Sequence, residues 1–317
     1  MDWDVLFCDV DDFCLEFEPQ FQQRLLASNT RSRSRDGKLS LSEIMTIVVA
    51  FQMSHYRDFK AFYNNLRETG LDLFPDLVSY QRFNSLTSRL IVPLVGYLKS
   101  RFGTCSGISF VDSTHLAVCG NKRIERNRVF EGLAARGRST IGWFYGFKLH
   151  VVINDCGELL GIQLTPGNVD DRRPVPTMTR SLTGKLYGDK GYISQALFED
   201  LFDRGLQLVT TIRKNMKPRI VLLWDKLMLR KRSLIETVND QLKNICQVDH
   251  TRHRSVNGFI VNLLAGLIAY THQPKKPSIR QGQRALWEGE AEWMTGAFAL
   301  CLLEDPDLCD GKTPSRL

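Results

Sequence analysis

Apolar and polar positions divide the chain into a helical first part and a mixed second part. Over roughly the first hundred residues apolar side chains return at helical spacing. Ser40-Leu41-Ser42-Glu43 reads as a capping signal ahead of Ile44, Ile47, Val48 and Phe51, and the same period predicts helices over Tyr56 to Arg67 and Ser79 to Lys99. A basic polar loop, Arg31 to Lys38, separates two such pieces. From Gly107 the pattern changes. Ile108 to Asp112 predicts a short strand ending on an acid, and Tyr145 to Ile153 and Leu159 to Thr165 predict strands flanking the turn Asp155-Cys156-Gly157. A helix over Asp170 to Leu182, a strand Lys185 to Asp189, a helix Ser194 to Arg204, a strand Leu206 to Ile212 and a long helix Leu234 to Gln247 are expected to follow.

Three antiparallel strands followed by strand-helix units predict an α/β fold: a ribonuclease-H-like mixed sheet flanked by helices, preceded by an all-α N-terminal domain. The boundaries this suggests are a helical domain over 1–104, a mixed domain over 105–273 and an appendage over 274–317. Pro274-Lys275-Lys276-Pro277 breaks the helix before the appendage.

Composition narrows the class. The chain has 317 residues, 43% of them hydrophobic and 24% charged, and its 23 glycines follow no period, which excludes disordered, collagen-like and coiled-coil proteins. The best candidate for a membrane span, Gly258 to Tyr270, is too short and is interrupted by Asn262. The opening Met1-Asp2-Trp3-Asp4 lacks the basic flank of a secretory signal, and the eight cysteines form no C-x2-C pair, so a cytoplasmic location is expected. The net charge of +7 is unevenly placed. Met1 to Thr30 carries a net −6, Gly120 to His150 a net +5 and Arg204 to Val256 a net +8. Positive charge gathered mid-chain suits a polyanionic partner.

The candidate chemistry lies in three acids. Asp112 and Asp189 each close a predicted strand and so can emerge at the carboxyl edge of one sheet, while Glu236 lies near the start of the long helix. Singly, the two aspartates read as turn or cap residues and Glu236 as a complement to the helix dipole. Together they form a set of hard oxygen ligands suited to Mg2+ or Mn2+, and two such ions drive in-line phosphoryl displacement. The spacing R-x3-E-x6-K places Glu236, Asn239 and Lys243 on one helical face, offering a metal ligand, an amide and a cation to a DNA phosphate track.

Val111-Asp112-Ser113-Thr114, Gly188-Asp189-Lys190-Gly191-Tyr192 and the spacing of Arg232, Glu236 and Lys243 resemble the three signature regions of DDE transposases of bacterial insertion sequences. Ser233-Leu234-Ile235-Glu236 with Asn239, Gln241 and Lys243, then Arg252-His253-Arg254-Ser255 and a closing apolar helix, are most similar to the insertion sequence 982 family. The likeness spans roughly Leu41 to Tyr270. It implies that Asp112 bridges two metal ions, that Asp189 and Glu236 each complete one, and that Arg232 and Lys243 contact transposon-end phosphates. Arg252 and Arg254 are expected on the DNA side. It further implies a homo-oligomer acting on terminal inverted repeats and target DNA, with the N-terminal helices reading DNA ends or serving dimerisation. Thr165-Pro166-Gly167-Asn168-Val169-Asp170-Asp171 matches a loop that precedes the second Asp of that family. Two features depart from the pattern: Leu229 stands where related elements place Tyr, and the segment after Pro277 has no counterpart. The rival readings are a metal-dependent nuclease on the same fold and an inactive DNA-binding remnant.

Four other signals are set aside. Gly132 to Ser139 approaches a phosphate-binding loop, but Arg138 stands at the lysine position. Cys246, His250 and His253 lack the fourth ligand of a structural zinc site. His115 is expected to be structural or solvent-facing. Trp143-Phe144-Tyr145, entering a strand, are expected in the core.

Overall fold

Ser40 caps its helix as the sequence predicts: the Glu43 amide donates to Ser40 Oγ (3.1 Å) and the Ser40 amide donates to Glu43 Oε2 (2.7 Å). The computed structural model describes residues 2–27, 37–54, 56–70, 72–139, 142–211, 221–249 and 253–279. Five helices come first: α1 (Trp3–Ala27), α2 (Leu41–Met53), α3 (Phe59–Thr69), α4 (Tyr80–Thr87) and α5 (Ile91–Ser100). The single helix expected over Ser79 to Lys99 is two. Pro93, which has no amide hydrogen to donate, falls in the first turn of α5, where none is needed, and the chain breaks ahead of it.

Six strands then form one mixed sheet: β1 (Ile108–Cys119), β2 (Ala135–Ser139), β3 (Gly142–Asn154), β4 (Leu159–Pro166), β5 (Gly184–Gly188) and β6 (Leu206–Thr210). Their order is β2-β3-β1-β5-β6, with β4 also on β3. The long β3 serves two partners in succession, β2 along 142–146 and β4 along 147–153. β1, β2, β3 and β4 pair antiparallel, whereas β1 with β5 and β5 with β6 are parallel. Between and after the strands lie α6 (Val175–Met178), α7 (Gln195–Phe202), α8 (Leu223–Lys231), α9 (Ser233–Asn244) and α10 (Val256–Thr271). The expected mixed sheet flanked by helices, with a helical N-terminal region, is the architecture found.

Val111, Val152, Leu186, Leu197 and Leu206 belong to one buried cluster joining the sheet to α6 and α7. Burying such side chains contributes ~1.5 to 3 kcal/mol each. α10 packs against α2 and α5, and Gln52 Nε2 donates to Asn262 Oδ1 (2.6 Å) across that contact. Asn262, which interrupts the apolar run, is thus a half-buried polar anchor between helices. Residues Met1–Pro277 form one compact unit, and a second begins at Ser278, of which only the first two residues are described. Among the described residues no helix is long and apolar enough to cross a membrane.

Four local expectations need correction. β1 does not end at Asp112, because Ser113 to Cys119 go on pairing with β3. The polar run Ser113-Thr114-His115 hid this continuation. β2 was not expected: Ala-Arg-Gly-Arg-Ser has no apolar alternation and is a strand by virtue of its pairing with β3. The helix predicted over Asp170 to Leu182 shrinks to the four residues of α6, because Pro174 and Pro176 remove amide donors from it. Phe144 and Tyr145 are buried as expected, but Trp143 is 63% exposed.

Candidate active site

Register between neighbouring strands brings the first two acids together. Phe110 pairs with Tyr187 across the parallel β1–β5 ladder. Two residues further along each chain stand Asp112, still within β1, and Asp189, just past the end of β5. The acids are 77 positions apart in sequence, but they leave adjacent strands at the same level, where neighbouring strands run ~4.8 Å apart. Asp189 is held by the chain reversal that follows it, its Oδ1 accepting the Gly191 amide (2.8 Å).

The third acid arrives on α9, which packs against β1. Asn239 Nδ2 donates to Asp112 Oδ2 (3.1 Å), fixing the helix face that carries Glu236 one turn earlier. Arg232, at the junction of α8 and α9, spans two of the acids. Its Nη2 donates to Glu236 Oε1 (2.7 Å), and its Nη1 lies 3.9 Å from Asp112 Oδ1. Burial raises the Asp112 pKa to about 6. The Arg232 charge and the Ser113 amide oppose the rise, whereas Asp189 and Glu236 add to it. Asp189 and Glu236 thus each act electrostatically on Asp112.

The cations expected to face DNA are placed unequally. Arg232 is paired within the acid cluster. Lys243 is only 18% exposed, with Nζ 3.8 Å from Asp249 Oδ2, and burial lowers its pKa. His115 lies near this pair, its pKa lowered by burial and by Lys243, and its ring stands 5.1 Å from that of Phe144. Arg254 is exposed. Arg252 and His250 lie outside the described residues.

The structure adds a neighbouring polar network that sequence reasoning missed. Lys148 Nζ donates to Asp171 Oδ1 and to the Val169 carbonyl, both at 2.9 Å. His150, fully buried on β3, bonds Thr165 Oγ1 through Nε2 (2.8 Å), and its Nδ1 stands 4.0 Å from Asp171 Oδ1. Burial holds its pKa down to about 4, so the imidazole is neutral near pH 7. The buried Tyr192 hydroxyl feels the charges of both groups. Burial, and then the charges of Asp112, Asp171 and Asp189, keep it well above its ordinary ionisation range. The only sequence signal for Asp171 was the segment it closes, Thr165 to Asp171. Lys148 and His150 had none, being ordinary alternating strand positions.

The donor set suits a hard divalent cation. Three carboxylates lie on neighbouring elements, and the raised pKa of Asp112 records burial and, to a lesser extent, like charge that a bound cation would relieve. Among the described residues no three acidic, imidazole or thiol side chains already stand at mutual metal-binding distance. Arg232 supplies the positive charge between Asp112 and Glu236.

Residues 102–256 match the transposase DDE domain family. The matched span is just under half of the chain and contains Asp112, Asp189, Glu236 and the cations discussed above. A similar solved structure is the cryo-EM structure of the piggyBac transposase synaptic complex with hairpin DNA. It is 14% identical, the match covers 89% of this chain and 77% of that one, and the TM-score is 0.41. No curated protein sequence matches the chain. The family match supports a DDE transposase.

Proposed function

We propose that this protein is the transposase of a bacterial insertion sequence of the 982 type, a homo-oligomer that cleaves phosphodiesters at its element's ends and joins the freed 3′-hydroxyl to target DNA. The register that sets Asp112 beside Asp189, with Glu236 brought to them by the Asn239 contact, carries this reading. Asp112, Asp189 and Glu236 would hold Mg2+ or Mn2+, a pair of ions in this reading. Such a pair, when bound, supplies an activated water and offsets the charge that develops on the phosphate.

The chain's own groups have separable tasks. Asn239 orients the Asp112 carboxylate, and the Gly191 amide orients that of Asp189. Arg232 holds Glu236 and partly neutralises the acid cluster, and its guanidinium offers a fork of donors to a phosphate seated there. Neutral His150 and the Lys148–Asp171 pair form a polar network near the acids.

Asp112→Asn, Asp189→Asn and Glu236→Gln should each retain binding of element-end DNA and lose metal-dependent strand cleavage. Any one of them that nicked at the wild-type rate would remove that residue from the site. Pre-cut ends incubated with a target plasmid should yield joined product; cleavage without joining would make the protein a nuclease.

A further inference from the structure

A second concentration of chemistry lies at the far end of β3. Arg136 pairs with Tyr145 and Arg138 with Trp143 across the β2–β3 ladder. Tyr145 is buried, and its hydroxyl donates to the Phe130 carbonyl (3.3 Å). Trp143 instead is 63% exposed, with the Arg138 guanidinium carbon 6.0 Å from the centre of its ring. Asn121 Nδ2 donates to the Trp143 carbonyl (2.8 Å), tying the short 3-10 turn Asn121–Arg126 to the same strand. Lys122, Arg123 and Arg126 on that turn, Arg128 after it, and Arg136 and Arg138 on β2 are all exposed. Glu125 and Glu131 are the acids within this stretch.

A lone exposed indole needs no explanation. An indole with a guanidinium at its ring, among six exposed cations, has the two parts of a single-strand binding surface: an aromatic platform for a base and positive charge for the backbone. An acidic peptide would use the cations but would have no need of the indole face. The patch is also separate from the acids. Asp112 pairs with Val151 on β3, eight residues from Trp143. At ~3.3 Å per residue that is about 26 Å along the strand, or about seven to eight base steps of a duplex at ~3.4 Å each.

We propose that this end of the sheet is a second DNA contact. In it Trp143 stacks an unpaired base while Arg136, Arg138 and the cations of Lys122 to Arg128 hold the flanking phosphates, about seven to eight base steps from the phosphodiester at the acids. It rests on the reading that the chain acts on DNA.

The test uses the full chain in chelator, with a blunt duplex and the same duplex bearing a short overhang that carries 2-aminopurine. The wild type should prefer the overhang and quench its fluorescence. Trp143→Ala should lose that preference by on the order of 5- to 100-fold, the equivalent of one stacked base, while Trp143→Phe keeps most of it. Arg136→Ala with Arg138→Ala should weaken both probes and flatten the slope of log affinity against log salt by roughly 1.5. A wild type indifferent to the overhang, or a Trp143→Ala protein that keeps the wild-type preference, overturns the proposal.

The outcome is independent of the acid site, because Asp112→Asn should keep the overhang preference. A chain that senses the overhang through Trp143 yet never cleaves upholds this contact and defeats the acid-site reading. A chain that cleaves through Asp112 with Trp143→Ala unchanged in preference does the reverse.

Discussion

Replacing Asp112 by Asn should make the metal-free protein more stable. Burial, together with the neighbouring Asp189 and Glu236, outweighs Arg232 and the Ser113 amide and moves this carboxyl from 3.8 to about 6. The side chain is 22% exposed, so most of the shift converts to stability: about 2 units is about 2 to 3 kcal/mol. The sign follows from proton counting. Between 3.8 and about 6 the folded chain holds the proton and the unfolded chain has released it, so stability falls as pH rises through that window. Above about 6 the whole cost is present. Asn keeps the shape and can still accept from Asn239, but it never ionises. Thermal unfolding in chelator near pH 7.5 should therefore show Asp112→Asn melting about 4 to 6 °C above wild type. Near pH 4 the free-energy gain should shrink to about 0.5 kcal/mol. Adding Mg2+ should raise the wild type toward the variant and leave the variant in place. Equal melting temperatures at pH 7.5, or the same gain at both pH values, would refute the claim that ionising the buried Asp112 costs the fold stability.

Asn239→Ala should lower strand cleavage by about 10- to 100-fold with end binding retained, because Asp112 loses the amide that orients it; a single-turnover rate within threefold of wild type would count against that role. His272 is largely buried beside Tyr97, and its pKa is lowered to about 4 chiefly by burial, so the fold is at full stability above about 7 and loses about 2.5 kcal/mol as pH falls to 4.5. Urea unfolding from pH 7 to 4.5 should show this loss in the wild type and not in His272→Gln. Asp225, only 8% exposed, accepts from Lys185 Nζ (2.8 Å) and Tyr187 Oη (2.9 Å). Asp225→Ala should cost about 3 kcal/mol in the same assay, and a cost below about 1 kcal/mol would mean that the buried pair is dispensable.

Information carried by near neighbours was legible in the chain itself. The Ser40 capping box, the turn between β3 and β4, and the helical face shared by Glu236 and Asn239 each depend on residues a few positions apart, and each is present. The acids could be nominated by residue type and spacing. What no local pattern carries is pairing between distant segments. Asp112 and Asp189 meet because β1 and β5 align at Phe110 and Tyr187. β2 is a strand only because β3 offers it an edge, and Lys148 and Asp171 form a pair only because β3 runs beneath the loop after β4. Trp143 is exposed, and its two aromatic successors buried, according to what the folded chain lays over each. Helix caps and turns are decided by hydrogen bonds within one turn of chain, whereas register, burial and charge pairing arise only when segments tens of residues apart compete for the same partners.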